Sequence, residues 1–262
     1  MKTRNSWLRS AAVVAAGVVM LVLLVSPAAH SKGKKKKAEE PTPTLTPTPT
    51  PTPEVHLWNF DSDKAGEMPA GWKALEGDWQ VIADPSAPSK PNVFGLPAGR
   101  MLKSLTGLLA YYPIAIETDP NEYSDFTLEA QFMSAGGRFD CSGGLIFRYV
   151  DDKIFYLLSA GCPSDYFALS RMTNGQLSTL KQSVVPTDKG TWYRLKVTAQ
   201  GGHFTCYDDD KMIFDYDDNK IAKGKIGVWA ADDSQAEFDD IKLTVIGSTE
   251  GASAAPAASA SP

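Results

Sequence analysis

The chain has 262 residues, of which 22% are charged and 43% hydrophobic, long enough to bury one substantial core. Its net charge of −5 hides two unlike parts: residues 1–53 carry eight Lys and Arg against two Glu, a balance of +6, and the remainder carries 18 against 29, or −11. An acidic globule repels phosphate backbones, which argues against nucleic-acid binding.

At the start, Lys2, Arg4 and Arg9 lead into the apolar run 11–25. Its length, about 15 residues, falls short of the ~20 of a membrane span and suits a signal-peptide core. Ser26 with Ala28, or Ala29 with Ser31, supplies the small residues that a signal peptidase reads. Residues 1–31 are therefore expected to be a signal peptide, the alternative being an uncleaved anchor. Residues 32–53 follow as a linker, made of the lysine run "KGKKKK" and the alternating "PTPTLTPTPTPTP". Such a Pro/Thr stretch cannot pack a core and predicts a disordered, extended spacer. The lysine run is read as solvated, with contact to anionic lipid or cell-wall polymer as the alternative. The Ala/Ser/Pro stretch 247–262 is expected to be a disordered tail.

Residues 54–246 read as strands throughout. In "DFTLEAQFM", Phe126, Leu128, Ala130 and Phe132 alternate with Thr127, Glu129 and Gln131. In "WYRLKVTA", Tyr193, Leu195 and Val197 alternate with Trp192, Arg194 and Lys196. "HFTCY", "MIFDY", "KIGVWA" and "FDDIKLTV" follow, separated by short turn clusters. That spacing predicts an all-β sandwich or barrel.

One hairpin can be registered from the residues alone. "GGLIFRYV" and "KIFYLLSAG" flank Asp151-Asp152, a plausible two-residue turn. Pairing Val150 with Lys153 makes partner numbers sum to 303, which also sets Cys141 opposite Cys162. Directly opposed residues lie ~4.5–5.5 Å apart at Cα, within disulfide range. A Cys141–Cys162 bridge is expected in an exported protein, two buried free thiols being the alternative. Cys206, beside Phe204 on one face, reads as a small core residue. The same register puts Leu145, Phe147, Tyr149, Ile154, Tyr156 and Leu158 on the core face. Ile146, Arg148, Phe155, Leu157 and Ser159 share the other face, as a second core layer or a ligand-facing surface.

"LWNFDSDKAGEMPAGWKALEGDWQVIADPSAPSKPNVF", "SDFTLEAQF", "GGLIFRYVDDKIFYLL", "TWYRLKVTAQGGHFTCYDDDKMIFDYDD" and "GKIGVWAADDSQAEFDDIKL" together resemble the concanavalin A-like (laminin-G-like) sandwich domains. Within that group the similarity points to the set that includes keto-disaccharide hydrolase-type domains, and it covers nearly all of residues 55–246. It implies a two-sheet antiparallel jelly roll with one sheet curved and sugars commonly bound on the concave face. It is less specific for function, because this fold hosts lectins, glucanases and inert domains.

Functional residues are fewer. Glu117, Asp119 and Glu122 occur in the spacing E-x-D-x-x-E, which resembles the catalytic signature of laminarinase-type glucanases. Asp119-Pro120-Asn121 is turn chemistry, so the three acids are expected to splay from a loop with ordinary pKa values. His30, His56 and His203 lie far apart, and no G-x-S-x-G, phosphate-cradling loop or HExxH is present. Asp239 shares parity with Ile241, Leu243 and Val245, so it is expected to point inward and need a cation or donors. The resemblance suggests a structural calcium there, with Asp61 facing it, although no cofactor is required. For sugar binding, Trp229 and Phe155 could supply an aromatic plate, with Arg148, Glu129 and Gln131 as polar partners.

The expected protein is a monomeric, extracytoplasmic, non-catalytic carbohydrate-binding or cell-surface module. It would touch a membrane only through an uncleaved N-terminal segment. The alternatives are a keto-disaccharide-type glycan hydrolase with a dispersed site, and a structural or protein-interaction domain.

Overall fold

The computed structural model describes residues 53–97, 102–104, 107–109, 112–162 and 164–247. The expected export segment lies outside these residues, as do all but the last residue of the linker and all but the first of the tail. The described residues contain no α-helix, and none therefore that could cross a membrane.

Two antiparallel sheets form the domain. The first runs in spatial order β15 (Lys211–Asp217), β14 (His203–Asp208), β13 (Trp192–Gln200), β8 (Phe126–Gly136), β17 (Gln235–Val245), β4 (Asn92–Gly95) and β3 (Gln80–Ala83), with β1 (Val55–Trp58) also paired to β17. The second runs β12 (Gln176–Val184), β11 (Tyr166–Thr173), β10 (Ile154–Gly161), β9 (Ser142–Asp151), β16 (Lys225–Ala230), β7 (Ile114–Glu117) and β2 (Trp72–Glu76). A small hairpin, β5 (Leu102–Ser104) and β6 (Gly107–Leu109), stands apart. The predicted two-sheet sandwich is thus the observed one.

Alternation builds the core. Phe126, Leu128, Ala130 and Phe132 of β8 are buried together with Leu195, Val197 and Ala199 of β13 and Leu145, Phe147, Tyr156 and Leu158 of the facing sheet. Aromatic contacts join the layers, as between Phe147 and Phe204 at 5.4 Å. Each Leu, Val or Phe side chain removed from water contributes about 1.5–3 kcal/mol. Cys206 lies in the same core as a buried free thiol, its pKa pushed up to about 12 by burial.

Two irregularities redirect side chains. The register around the β9–β10 hairpin holds from Phe147↔Tyr156 to Ser142↔Gly161, and Cys141 is bridged to Cys162 with Cα atoms 5.6 Å apart. At the tip, however, Asp151 pairs with Ile154, so the turn is Asp152-Lys153. The extra residues form a bulge at Arg148, whose φ is +49°, and alternation breaks there. Tyr149 consequently leaves the core face, and Arg148 enters the interior. In β17, Asp239 pairs with Gln131 but Lys242 with Glu129, and Asp240 takes up the slack at φ +47°. Phe238 and Ile241 therefore both face the core, and Asp239 is on the opposite face instead of pointing inward.

Candidate functional site

The outer face of the seven-stranded sheet carries a second apolar layer. Ile146, Phe155, Leu157, Met172 and Trp229 are buried there as one cluster, separate from the main core. Phe155 and Trp229 thus resolve the two readings of this face in favour of packing at their own positions. Beside the layer lies a trough of about 230 Å³.

Strand register explains the trough. Trp229 opposes Gly144, Gly144 opposes Ser159, Ser159 opposes Ala168, and Ala168 opposes Gln182. Small residues across three successive strands leave a depression between larger neighbours. Gly144 has no room for a side chain, since a Cβ would lie 2.3 Å from the Leu158 carbonyl oxygen. The next row places Leu157 opposite Ser170, and Ser170 opposite Thr179. Tyr166 and Leu177 border the depression. Tyr112 lies against Trp229 at 5.9 Å, leaving that indole 4% exposed at the trough's edge.

The trough joins two chemistries. Tyr166, Leu177 and the edge of Trp229 offer apolar surface, and Ser159, Ser164, Ser170, Thr179 and Gln182 offer hydroxyls and an amide. Burial raises the Tyr166 pKa, while its hydrogen bonds with Ser142 and Ser159 hold the hydroxyl in place. Among the described lining residues there is no carboxylate and no histidine. Such a lining can hold a hydroxylated ring by stacking and neutral hydrogen bonds, but offers no proton donor or acceptor tuned near neutrality.

The residues singled out from sequence occupy three places. Phe155 and Trp229 lie on the outer face of the seven-stranded sheet. Glu129 and Gln131 line a groove on the outer face of the other sheet. Arg148, 1% exposed, lies in the interior and is committed to backbone. Its Nη1 donates to Ile221 O at 2.8 Å, and its Nη2 to Ser124 O and Gly201 O, each at 2.6 Å. The guanidinium also sits over the Phe204 ring at 5.1 Å. It clamps loops together and presents no donor to a ligand.

Asp239 is fully buried beneath the 84–92 segment, with Oδ2 accepting from Ser89 N–H at 2.8 Å and Oδ1 from Asp240 N–H at 2.7 Å. Burial pushes its pKa up to about 6 in spite of these bonds. Asp61 lies close enough to add repulsion, and its Oδ1 accepts from Asn92 N–H at 3.5 Å. No group of three or more His, Cys, Asp or Glu placed to hold a metal occurs among the described residues.

Acids elsewhere make other arrangements. Glu117 ends β7 instead of lying in a loop; it is 4% exposed, with burial raising its pKa. Its Oε1 accepts from Asp119 N–H at 2.5 Å. Asp119 in turn accepts from Asn121 N–H, and Glu122 pairs with Lys223 at 3.1 Å, so the three acids do not converge. Asp84 and Glu237 are hydrogen-bonded to each other on the eight-stranded sheet. Burial works to raise Asp84, but hydrogen bonds from Ser86 outweigh it and hold that carboxyl below its usual value. Burial and the adjacent Asp84 push Glu237 up to about 7. Hydrogen-bonded carboxyls are closer than the ~5–5.5 Å that a retaining glycosidase needs across a scissile bond.

The hydroxyl row was the part that strand patterns concealed. Ser159 stood out only as one member of a mixed face, and nothing in the sequence singled out Ser170 or Thr179. They fall in two adjacent register rows, Ser159 opposite Ala168 and Ser170 opposite Thr179, a juxtaposition that needs the pairing to be seen.

Comparison with known proteins places these features in a family. Residues 60–244 match the model of the 3-keto-alpha-glucoside-1,2-lyase-like domain. A levanase of Bacillus subtilis (strain 168) is 31% identical over 121 residues, which are 45% of this chain but only 17% of that enzyme. Among solved structures, a carbohydrate-binding module from Bacillus subtilis is similar at a TM-score of 0.50 and 24% identity, covering 66% of this chain and 94% of that one. A laminarinase from Rhodothermus marinus is similar at a TM-score of 0.52 and 10% identity, covering 75% and 99%. At these identities the two structures share the fold.

Proposed function

Since the chain belongs to the 3-keto-alpha-glucoside-1,2-lyase-like domain family, we propose that it is an exported, non-catalytic glycan-binding module. The observation that carries this reading is the trough across β10, β11 and β12, where apolar and aromatic surface meets a row of hydroxyls with no described carboxylate or histidine. A pyranose or furanose ring would rest on Tyr166 and Leu177 while its hydroxyls exchange hydrogen bonds with Ser159, Ser170, Thr179 and Gln182. The levanase similarity supports a sugar ligand, and its restriction to a small part of that enzyme suits a role as an attached module. The Cys141–Cys162 bridge favours an oxidising compartment outside the cytoplasm. The described residues lining the trough include no carboxylate, so the binding is expected to proceed without calcium.

The test is a glycan array probed with the full chain, including levan and laminarin, with calcium and with EDTA. Binding is expected in both conditions and should be lost in Ala168→Phe, which fills the trough from its floor. Retained binding by a folded Ala168→Phe chain would sink the trough as the site. Turnover of any glycan by the wild-type chain would replace the binding reading with the catalytic one.

A further inference from the structure

The opposite face of the sandwich carries a groove of its own, about 300 Å³ in volume, lined by Leu57, Glu129, Gln131, Arg194, Asp240 and Lys242. Strand register lays these side chains in two rows. Arg194 opposes Gln131, which opposes Asp239. Lys196 opposes Glu129, Glu129 opposes Lys242, and Lys242 opposes Leu57. Along the groove, acidic and basic groups therefore alternate: Lys242 Nζ reaches Glu129 Oε1 at 3.0 Å, and Arg194 is paired through Nη2 with Asp210. Asp240 is held in place by Ser89, whose hydroxyl donates to Oδ1 at 2.8 Å.

Two features distinguish this groove from an ordinary solvated face. Arg194 Nε is buried with no hydrogen-bond partner, a donor that folding has desolvated without compensation. At the rim, Leu57 is 58% exposed, an apolar surface beside charged groups. The lining charges also cancel, with Glu129 and Asp240 against Arg194 and Lys242. A polyanion gains nothing from a neutral groove in an acidic domain. A hydroxyl-rich neutral ligand does gain, since each hydroxyl can donate to a carboxylate and accept from a guanidinium or ammonium. Such charge-assisted bonds are roughly twice as strong as neutral ones.

We propose that this groove is a second saccharide site, taking a neutral, hydroxyl-rich sugar whose hydroxyls engage the Arg194 guanidinium together with Gln131, Glu129 and Lys242. Leu57 covers the C–H face of the ring. The two sites lie on opposite outer faces of stacked sheets, so one domain bridges two glycan strands, and its avidity on a polymer exceeds that of either site.

Side-chain and backbone ¹H–¹⁵N spectra of the full chain, titrated with laminarin and levan oligosaccharides and with oligogalacturonate, test this directly. The Arg194 Nε–H and Gln131 amide resonances are expected to shift with a neutral sugar and to keep shifting in Ala168→Phe. Arg194→Ala should weaken the response at Gln131 about tenfold or more while leaving the trough response intact. Unmoved Arg194 and Gln131 resonances at about 10 mM sugar, tenfold above a Kd of ~1 mM, would overturn the proposal. So would a response only to oligogalacturonate, or one that disappears with Ala168→Phe. The first reading fails separately, through the resonances of Ser159 and Ser170.

Discussion

The two outer faces of this sandwich come from the same alternation rule and differ in what they do with it. On the eight-stranded sheet, the residues between core positions are Thr127, Glu129, Gln131, Arg194 and Lys196, a polar face that meets water. On the seven-stranded sheet, the equivalent residues are Ile146, Phe155, Leu157 and Trp229, packed into a second layer beside a hydroxyl-lined trough. A sheet face that is buried and yet notched is expensive to maintain, and the notch made by Gly144, Ser159 and Ala168 is what a ligand would use. Alternation alone says where the core is. The composition of the other face says whether the sheet is merely solvated or built around something.

The contrast can be broken most severely from within the second layer. Phe155→Ala should cost about 3–5 kcal/mol in urea unfolding, the usual range for emptying a buried aromatic position. Glu129→Ala on the opposite sheet should stay within about 0.5 kcal/mol, and comparable losses at both positions would erase the distinction. Arg148→Met belongs with the large effects, because it strips donors from the Ser124, Ile221 and Gly201 carbonyls. About 2–4 kcal/mol is expected, with sugar binding unchanged in the folded fraction. Lost binding at full stability would instead return Arg148 to the site. Opening the Cys141–Cys162 bridge by Cys162→Ser should cost ~3 kcal/mol, seen as a lower unfolding midpoint that reductant no longer changes.

A smaller effect sharpens the picture of the charged face. Glu237 and Asp239 have folded pKa values raised to about 7 and about 6, against ordinary values of 4.5 and 3.8. The native state therefore binds more protons than the unfolded chain between these limits. Their ionisation penalty is absent below the unfolded values and fully present above the folded ones, so stability should fall as pH rises from about 4 through about 7. Thermal unfolding across that range checks it, and Glu237→Gln should flatten the upper part of the slope. A wild-type midpoint that rises over this window would contradict the burial assigned to both carboxyls.

Much of the fold was legible in the sequence, for a definable reason. Strands of period two and short turns read as a sandwich or barrel, the family resemblance implied the sandwich, and one hairpin register paired Cys141 with Cys162. Bulges defeated the same reasoning twice. Parity carried past Arg148 and Asp239 assigns both to the wrong side, because an extra residue in one strand leaves no mark on the hydrophobic pattern. Glu117 was misjudged from its neighbours, since the Asp-Pro-Asn turn begins only after the strand has buried that carboxyl. The candidate site was less legible still. Parity within a strand does not say which sheet the strand joins, so Glu129 and Gln131 were grouped with Phe155 and Trp229 although the sandwich core lies between them.

The central claim, that the trough is the glycan site, is tested most directly by a crystal structure of the full chain with a bound laminarin or levan oligosaccharide. The account predicts a sugar ring seated across β10, β11 and β12, against Tyr166 and Leu177, with hydroxyls bonded to Ser159, Ser170 or Thr179. An empty trough with the sugar ordered against the Asp84–Glu237 carboxyl pair would contradict it.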